Sequence, residues 1–213
     1  MLRSYHQEVL IEAGSDEAGR GCYAGPVFAA AVILPVDFYH PLLNDSKQVE
    51  AENRDILREI IEESAVAWAV ACVNNEEIDQ INILKASFKA MHLAIAQLNP
   101  QPGLLLIDGN RFSAYPDIRH HCIIKGDGIY ASIAAASILA KTHRDAYMRQ
   151  LHKEFPQYGW ERNKGYGTGE HRKAIEAFGL CRYHRKSYNI EPKMAGLFDG
   201  VPGIDEVEDE YEG

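Results

Sequence analysis

The sequence predicts an α/β protein with a mixed central β-sheet flanked by α-helices. Two short apolar runs follow one another closely near the start of the chain, at 9–15 and 26–34, which is typical of antiparallel strands. Beyond residue 50, short apolar runs alternate with longer segments in which apolar residues recur at helical spacing. Strands first, followed by strands alternating with helices, indicate a sheet of mixed direction covered by helices.

Four elements are predicted in the first half of the chain. The first strand runs into DEAGRG, a turn punctuated by glycines. Asp45 or Ser46 is a candidate cap for the helix. Its apolar face is expected to carry Ile56, Ile60 and Ile61. The strand that follows the helix is apolar throughout and is expected to be buried. The predicted ranges are strands 9–15 and 26–34, helix 51–63 and strand 65–73.

Five elements are predicted in the second half. Asn74 or Asn75 can cap a long helix, and Pro156 stops the alanine-rich helix that comes later. Thr168 is a candidate cap for the last helix, which forms a C-terminal helical part of the fold. The predicted ranges are helix 74–98, strands 104–107 and 121–124, and helices 132–155 and 168–178.

Charge is distributed unevenly along the chain. The net charge of −9 is unusual for a nucleic-acid enzyme, but seven of the acidic residues lie between Gly196 and Gly213, which contain no basic residue. Between Lys141 and Tyr188, eleven lysines and arginines outnumber five acidic residues, so this region is basic enough to face phosphates. Ordinary solvation of helices is the simpler alternative. The predicted organisation is a folded domain over 1–192 and an acidic, disordered tail over 193–213.

Composition indicates a soluble, cytoplasmic protein. The four cysteines are 50 or more residues apart, as expected of reduced thiols rather than of a zinc site. The N-terminus lacks the apolar segment of a signal peptide. No run of the sequence approaches the ~18 apolar residues of a membrane span.

Several carboxylates lie in apolar or glycine-rich parts of the sequence, where a charged side chain is unusual. Each one alone could cap a helix or end a strand in water. Together in one place they would repel one another, and burial would be costly unless a cation joined them. Mg²⁺ and Mn²⁺ suit an all-oxygen ligand set of this kind. The residues are Asp16, Glu17, Asp108, Asp127 and Asp145.

The neighbouring acids Asp16 and Glu17 present a geometric difficulty. On a regular strand, adjacent side chains point to opposite faces of the sheet. Glycines at 14, 19 and 21 would allow the strand to break or twist there. Alternatively, two ions about 4 Å apart could be reached from different sides.

Seven motifs occur in order from about residue 10 to residue 189. They are SDEAGRGCYAGPVFAAAVILP at 15–35, LNDSK at 43–47, LLIDGNR at 105–111, IIKGD at 123–127, SIAAASILAKTHRD at 132–145, KGYGT at 164–168 and HRKSY at 184–188. Each motif alone is weak, but the ordered set closely resembles the ribonuclease HII family.

The resemblance implies a ribonuclease H-like fold and a hydrolase that uses two divalent ions, Mg²⁺ or Mn²⁺. Such an enzyme cuts the RNA strand of RNA/DNA hybrids and cuts 5′ to single ribonucleotides in duplex DNA, leaving a 3′-hydroxyl and a 5′-phosphate. Its task would be ribonucleotide excision repair. By motif, Asp16, Glu17 and Asp108 would be the metal ligands. Asp127 would complete the carboxylate set, with Asp145 as the alternative for that place.

The resemblance also assigns substrate contacts. Gly19, Arg20 and Gly21 would read the 2′-hydroxyl, although the residues alone equally fit glycines that only shape a turn. Tyr166 would pack on the sugar at the RNA–DNA junction. His143 and His184 are expected to be structural or to face phosphates rather than to act as general bases. The candidate phosphate contacts are Lys47, Lys125, Lys164, Arg185 and Lys186.

Two further features of the sequence concern phosphate binding and a partner protein. Ile129 occupies a position two residues after KGD where the family usually has a basic residue, which favours weaker phosphate binding. MAGLF at 194–198 faintly resembles a sliding-clamp motif. The open alternatives are a type I ribonuclease H or a resolvase of the same fold, and a catalytically impaired protein that binds RNA/DNA junctions. The resemblance also suggests a monomer.

Overall fold

The computed structural model describes residues 2–7, 9–44 and 49–190. Its centre is one five-stranded sheet in the order β3-β2-β1-β4-β5. β1 pairs antiparallel with β2 and parallel with β4, so the predicted mixed sheet is confirmed. The predicted caps Asp45 and Ser46, Lys47 and the acidic tail lie outside the described residues. The strands are β1 Glu12–Ala18, β2 Val27–Ile33, β3 Ala67–Val73, β4 Leu104–Asp108 and β5 Arg119–Ile123.

Helices cover both faces of the sheet, and most begin within two residues of their predicted positions. Thr168 caps the last of them as predicted, because its side-chain oxygen accepts a hydrogen bond from the backbone N–H of His171. Short 3₁₀ turns at Gly126–Gly128 and Pro156–Tyr158 were not predicted. The helices are α1 Ala51–Ser64, α2 Asn75–Ile81, α3 Ile83–Ile95, α4 Ala131–Glu154, α5 Trp160–Asn163 and α6 Gly169–Phe178.

Two expectations about the helices are wrong. The predicted helix 74–98 is divided at Asn82, whose φ of +69° ends α2 and whose side chain accepts from Lys85 N to cap α3. Periodicity alone cannot reveal this break, because the apolar spacing continues across it. In α1 the buried residues are Leu57 and Ile61, whereas Ile56 is exposed.

The apolar core lies on both sides of the sheet. On one face, β1, β2 and β3 pack against α3, with Ala29, Ala90 and Met91 among the buried residues. On the other face, α4 lies between the sheet and α1. β3 is an edge strand and is only partly buried, which corrects the expectation of a buried strand. A further cluster joins the end of α4 to α5 and α6.

Gly14 marks the point where α4 approaches the sheet most closely. A Cβ atom on Gly14 would lie 2.2 Å from the backbone carbon of Ser132 and 2.3 Å from the amide nitrogen of Ile133. Backbone atoms cannot rotate away as a side chain can, so only glycine fits there. This contact sets the position of α4 along β1.

We expect Gly14→Ala to lower the free energy of unfolding by at least about 3 kcal/mol, because the methyl group would force α4 away from the sheet. Gly169→Ala is the matched control, since nothing lies within 4 Å of a Cβ at that position. Urea unfolding followed by circular dichroism measures both changes. Equal stability of the two variants would contradict the close contact described here.

Candidate active site

Three carboxylates meet at neighbouring strand ends. The parallel register pairs Ser15 with Ile107, so Asp16 and Asp108 are the next residues on β1 and β4. Both therefore lie on the face covered by α4. Glu17 follows Asp16 directly and begins on the opposite face, as alternation along a strand requires. All three nevertheless line one cleft of about 370 Å³, because β1 ends there.

The electrostatics of this group are unfavourable without a cation. Asp16 is buried, and burial is the largest cause that raises the pKa of its carboxyl well above 3.8. The charges of Glu17 and Asp108 raise this pKa further, whereas hydrogen bonds from Ser137 and from the Glu17 amide lower it. Burial also raises the pKa of Glu17, against the opposing effect of Arg20. Holding these carboxylates together in their charged form therefore lowers the stability of the folded protein.

The donor set fits a divalent cation, although the side chains are not yet arranged around one. Within the described ranges, no three acidic, histidine or cysteine side chains converge at metal-binding spacing. Each carboxylate is turned to a protein partner: Glu17 pairs with Arg20 at 3.0 Å, and Asp108 Oδ1 accepts from Gly126 N at 2.7 Å. A hard cation would relieve the repulsion among these oxygens.

Helix α4 and helix α1 supply residues of the cleft that the sequence analysis did not single out. Ser137 and Lys141 are one turn apart on α4, and Arg54 lies on α1. Ser137 bonds to Asp16, whereas the Lys141 ammonium brings positive charge to the same cleft. Their spacing indicates that Ser137 and Lys141 share one face of a helix, but not that this face borders the carboxylates.

The Gly19–Gly21 turn forms another wall of this cleft. Gly19 has φ +98°, and a Cβ there would lie 2.0 Å from Nε of Arg144. Arg144 is buried under the turn and donates to the carbonyl oxygens of Pro26, Ala24 and Lys164. Gly21 differs from Gly19, because nothing lies within 4 Å of its Cβ position. The backbone at Gly21 is therefore open to a ligand.

Tyr166 lines the same cleft as the carboxylates. Its side chain is 41% exposed, and its hydroxyl lies against the buried Cys22. Burial of the hydroxyl end is the main cause that raises its pKa to about 12, so the phenol stays protonated. The Arg144 guanidinium carbon lies 5.8 Å from the ring centroid. One edge of the ring is fixed while the other faces the cleft.

Asp127 and Asp145 lie outside the cleft lining. Asp127 is buried in the 3₁₀ turn, directly after the Gly126 amide that binds Asp108. Asp145 is held by Lys141 Nζ at 2.6 and 2.8 Å. An ion pair within α4 therefore accounts for the position of Asp145, and the pair orients Lys141.

The candidate phosphate contacts fall into two groups. Lys125 and Lys186 are exposed, and Lys164 is half-buried and donates to the Glu161 carbonyl. Arg185 is fully buried and donates to the carbonyl oxygens of Gly25 and Arg20, so it cannot contact a phosphate in this conformation. This corrects the expectation drawn from the basic motif HRKSY, because a basic run does not show which side chains point inward.

Two further expectations can be compared with the structure. The side chain of Ile129 packs against Leu104, Leu106 and Ile133, so an apolar contact replaces the basic residue there. His143 pairs with Glu62 at 2.8 Å and lies outside the lining of the carboxylate cleft.

Among the helices described, none is both long enough and apolar enough to cross a membrane.

Comparisons with known proteins agree with this geometry. The family model described as Ribonuclease HII matches residues 13–190. A Ribonuclease HII from Bacteroides fragilis is 63% identical over 190 residues, which cover 89% of this chain and 94% of that protein.

Two solved structures share the fold. The structure of the PCNA:RNase HII complex from Archaeoglobus fulgidus matches with a TM-score of 0.68 at 24% identity, over 87% of this chain and 98% of that chain. Bst-RNase HIII in complex with Mn²⁺ matches with a TM-score of 0.66 at 21% identity, over 84% of this chain and 67% of that chain. With the family model and the close bacterial relative, the ribonuclease H-like fold is confirmed. The chain therefore belongs to the ribonuclease HII family and is a ribonuclease H endonuclease.

Proposed function

We propose that this endonuclease cuts 5′ to single ribonucleotides embedded in duplex DNA, in addition to cleaving the RNA of RNA/DNA hybrids, and leaves a 3′-hydroxyl and a 5′-phosphate. The reaction uses two divalent ions held by Asp16, Glu17 and Asp108, with Asp127 completing the carboxylate set. Its physiological task is the removal of misincorporated ribonucleotides in the cytoplasm. The protein acts as a monomer.

One observation carries this proposal: three carboxylates share a cleft in which two of them raise the pKa of the third. A protein that gained only stability from this region would not keep mutually repelling, partly buried acids together. The cleft also holds the cations Lys141, Arg54 and Arg20, which suit a polyanionic substrate.

The side chains divide the work of the reaction. When bound, the two ions would supply Lewis-acid activation of the attacking water and stabilisation of the leaving 3′-oxygen. Ser137 and the Glu17 amide orient the carboxylate of Asp16, and the Gly126 amide orients that of Asp108. Lys141, oriented by Asp145, faces the phosphate that is cut. Arg20 neutralises Glu17 until the cation binds.

Selection of a ribonucleotide is assigned to the Gly19–Gly21 turn and Tyr166. The open backbone at Gly21 allows a peptide group to approach the 2′-hydroxyl, which distinguishes RNA from DNA. The half-exposed Tyr166 ring offers a flat surface for the next sugar. Lys125, Lys164 and Lys186 remain the proposed phosphate contacts on the protein surface.

The ion and the partner are also part of the proposal. Mg²⁺ and Mn²⁺ both suit the all-oxygen donors, and the Mn²⁺ complex of the structurally similar Bst-RNase HIII supports including Mn²⁺. The PCNA complex of the Archaeoglobus fulgidus protein supports testing a sliding-clamp contact here through residues 194–198. Those residues lie outside the described part of this chain.

We expect Asp16→Asn to reduce cleavage of a duplex with one ribonucleotide by at least about 100-fold, because a metal ligand is lost. The same change should raise the Tm of the metal-free protein by a few degrees, since it removes a buried charge that Glu17 and Asp108 repel. This gain should shrink as the pH falls to 3.8 and should vanish below it, where the wild-type carboxyl is protonated in both the folded and the unfolded state. Cleavage assays with Mg²⁺, Mn²⁺ and chelator, together with thermal unfolding, measure both effects.

The exposed Asp55 of α1 provides the control, since Asp55→Asn should change neither quantity. Wild-type cleavage by the Asp16 variant would remove that residue from the catalytic set. Binding without cutting by the wild-type protein would instead favour the impaired junction-binding protein, with Ile129→Lys as the first change to examine.

We expect Tyr166→Ala to weaken discrimination in favour of the single-ribonucleotide duplex by about 5- to 100-fold, the range expected for loss of one aromatic stacking contact. Tyr166→Phe keeps the ring and removes only the hydroxyl next to Cys22, so it should retain most of this preference. The measurement is the ratio of kcat/KM for the single-ribonucleotide duplex to kcat/KM for an RNA/DNA hybrid. An unchanged ratio in the alanine variant would show that the ring does not read the junction.

A further inference from the structure

His184 and Arg185 are adjacent, fully buried residues; Arg185 contacts the Gly19–Gly21 turn, and His184 is linked to Tyr166 through His171. Arg185 donates to the carbonyl oxygen of Arg20 at 2.8 Å and to that of Gly25 at 3.0 Å, and so holds the Gly19–Gly21 turn. His184 lies 3.2 Å from His171, whose Nδ1 lies 2.9 Å from the carbonyl oxygen of Tyr166. The two elements that would read the sugar therefore meet at one dipeptide.

The hydrogen bonds determine the protonation of both rings. Trp160 Nε1 can only donate, and it lies 3.1 Å from His171 Nε2. His171 Nε2 therefore accepts, and its Nδ1 carries the proton that it donates to the Tyr166 carbonyl. Likewise the Cys181 amide donates to His184 Nδ1 at 3.0 Å, so His184 Nε2 donates to His171. With both rings neutral, His171 Nε2 is the acceptor for two donors, Trp160 Nε1 and His184 Nε2, which share its single lone pair.

The surroundings favour these neutral forms. Burial is the largest cause that lowers the pKa of both histidines, and the charge of His171 helps to lower that of His184 to about 4. Tyr158 and Trp160 pack against the rings, and Glu170 is the acidic residue that opposes the shift at His171. At neutral pH the chain of donors from His184 to Tyr166 is therefore continuous.

On its N-terminal side, the loop of Tyr166 is held by hydrogen bonds from the amides of Tyr23 and Ala24 to the Gly165 carbonyl. The imidazole of His171 is the side-chain donor to Tyr166 itself. The Tyr166 carbonyl oxygen accepts only from His171 and from the Thr168 amide at 2.8 Å among the contacts described. Its amide donates to the Asn163 carbonyl. Removing the imidazole donor leaves the ring of Tyr166 attached to a more weakly held turn.

We infer that His184 and Arg185, acting with His171, are positioning residues that hold the Tyr166 loop and the Gly19–Gly21 turn at a fixed separation. The role rests on the proposed function, because it concerns how the two recognition elements are held rather than what they touch. The side chains of His171, His184 and Arg185 lie outside the lining of the cleft.

A matched pair of variants isolates the donor to Tyr166. His171→Asn places an amide nitrogen where Nδ1 was and keeps this donor, whereas His171→Gln places its amide near the Nε2 position and loses it. We expect His171→Gln to reduce the preference for the single-ribonucleotide duplex over the hybrid by about 3- to 10-fold, the size of one hydrogen bond. His171→Asn should retain the wild-type preference, and kcat on the hybrid should stay within about twofold in both variants.

Two further readouts separate positioning from general stability. Amide hydrogen exchange at Tyr166–Thr168 should be faster in His171→Gln than in His171→Asn. Combining His171→Gln with Tyr166→Ala should add nothing to the effect of Tyr166→Ala alone, because both changes act through one ring. His184→Asn gives a second route to the same measurements, since it keeps an acceptor for the Cys181 amide and loses the donor to His171.

Equal amide hydrogen exchange at Tyr166–Thr168 in the two His171 variants would overturn the inference, whatever effect Tyr166→Ala has on the substrate preference. A double variant that loses preference beyond Tyr166→Ala would also overturn it, because the histidine would then act by another route. If exchange differs while Tyr166→Ala keeps the wild-type preference, the proposed role of Tyr166 in recognition fails. The positioning of the loop by the histidine pair would still stand on the exchange data.

Discussion

Helix α4 lies so close to strand β1 at Gly14 that no side chain fits between them. From that contact the helix continues past Ser137, which bonds to Asp16, and past Lys141, which lines the cleft. About one turn beyond Lys141 it brings Arg144 under Gly19. One rigid element therefore sets the position of a carboxylate, a cation and the recognition turn. A small displacement of α4 would shift all three together, since an α-helix transmits such a shift along its length.

The site combines negative charges that repel with positive charges that lack acidic partners. The charges of Glu17 and Asp108 raise the pKa of Asp16, and the charge of Asp108 raises that of Glu17. Arg144 and Arg185 are buried as well, and both are held by backbone carbonyl oxygens rather than by acids. Carbonyl oxygens satisfy a guanidinium without cancelling its charge. The region thus places mutually repelling carboxylates, which favour a bound cation, next to buried guanidinium groups whose charge is not cancelled.

Local patterns were sufficient to predict most of the strands and the acids that follow them. Asp108 at the end of LLLI and Asp16 after the first strand are expected to meet, because parallel neighbours end at the same edge of a sheet. Helix direction was not predictable in this way. Ser137 and Lys141 became visible as cleft residues only once α4 was placed along β1, and Arg185 looked exposed in its basic motif until the carbonyls of Arg20 and Gly25 were seen to surround it. The break between α2 and α3 was not predictable either, because the left-handed conformation of Asn82 does not change the spacing of the apolar residues around it.

The buried dipeptide His184–Arg185 has a consequence for the order in which the chain becomes functional during synthesis. The cleft acids and helix α4 lie between residues 16 and 154, whereas the contacts that hold Arg20 and Tyr166 come from the last described segment. During synthesis, the residues proposed for cutting thus leave the ribosome before those that hold Arg20 and Tyr166. The selectivity proposed for these two residues would therefore be acquired after the carboxylate cleft has formed.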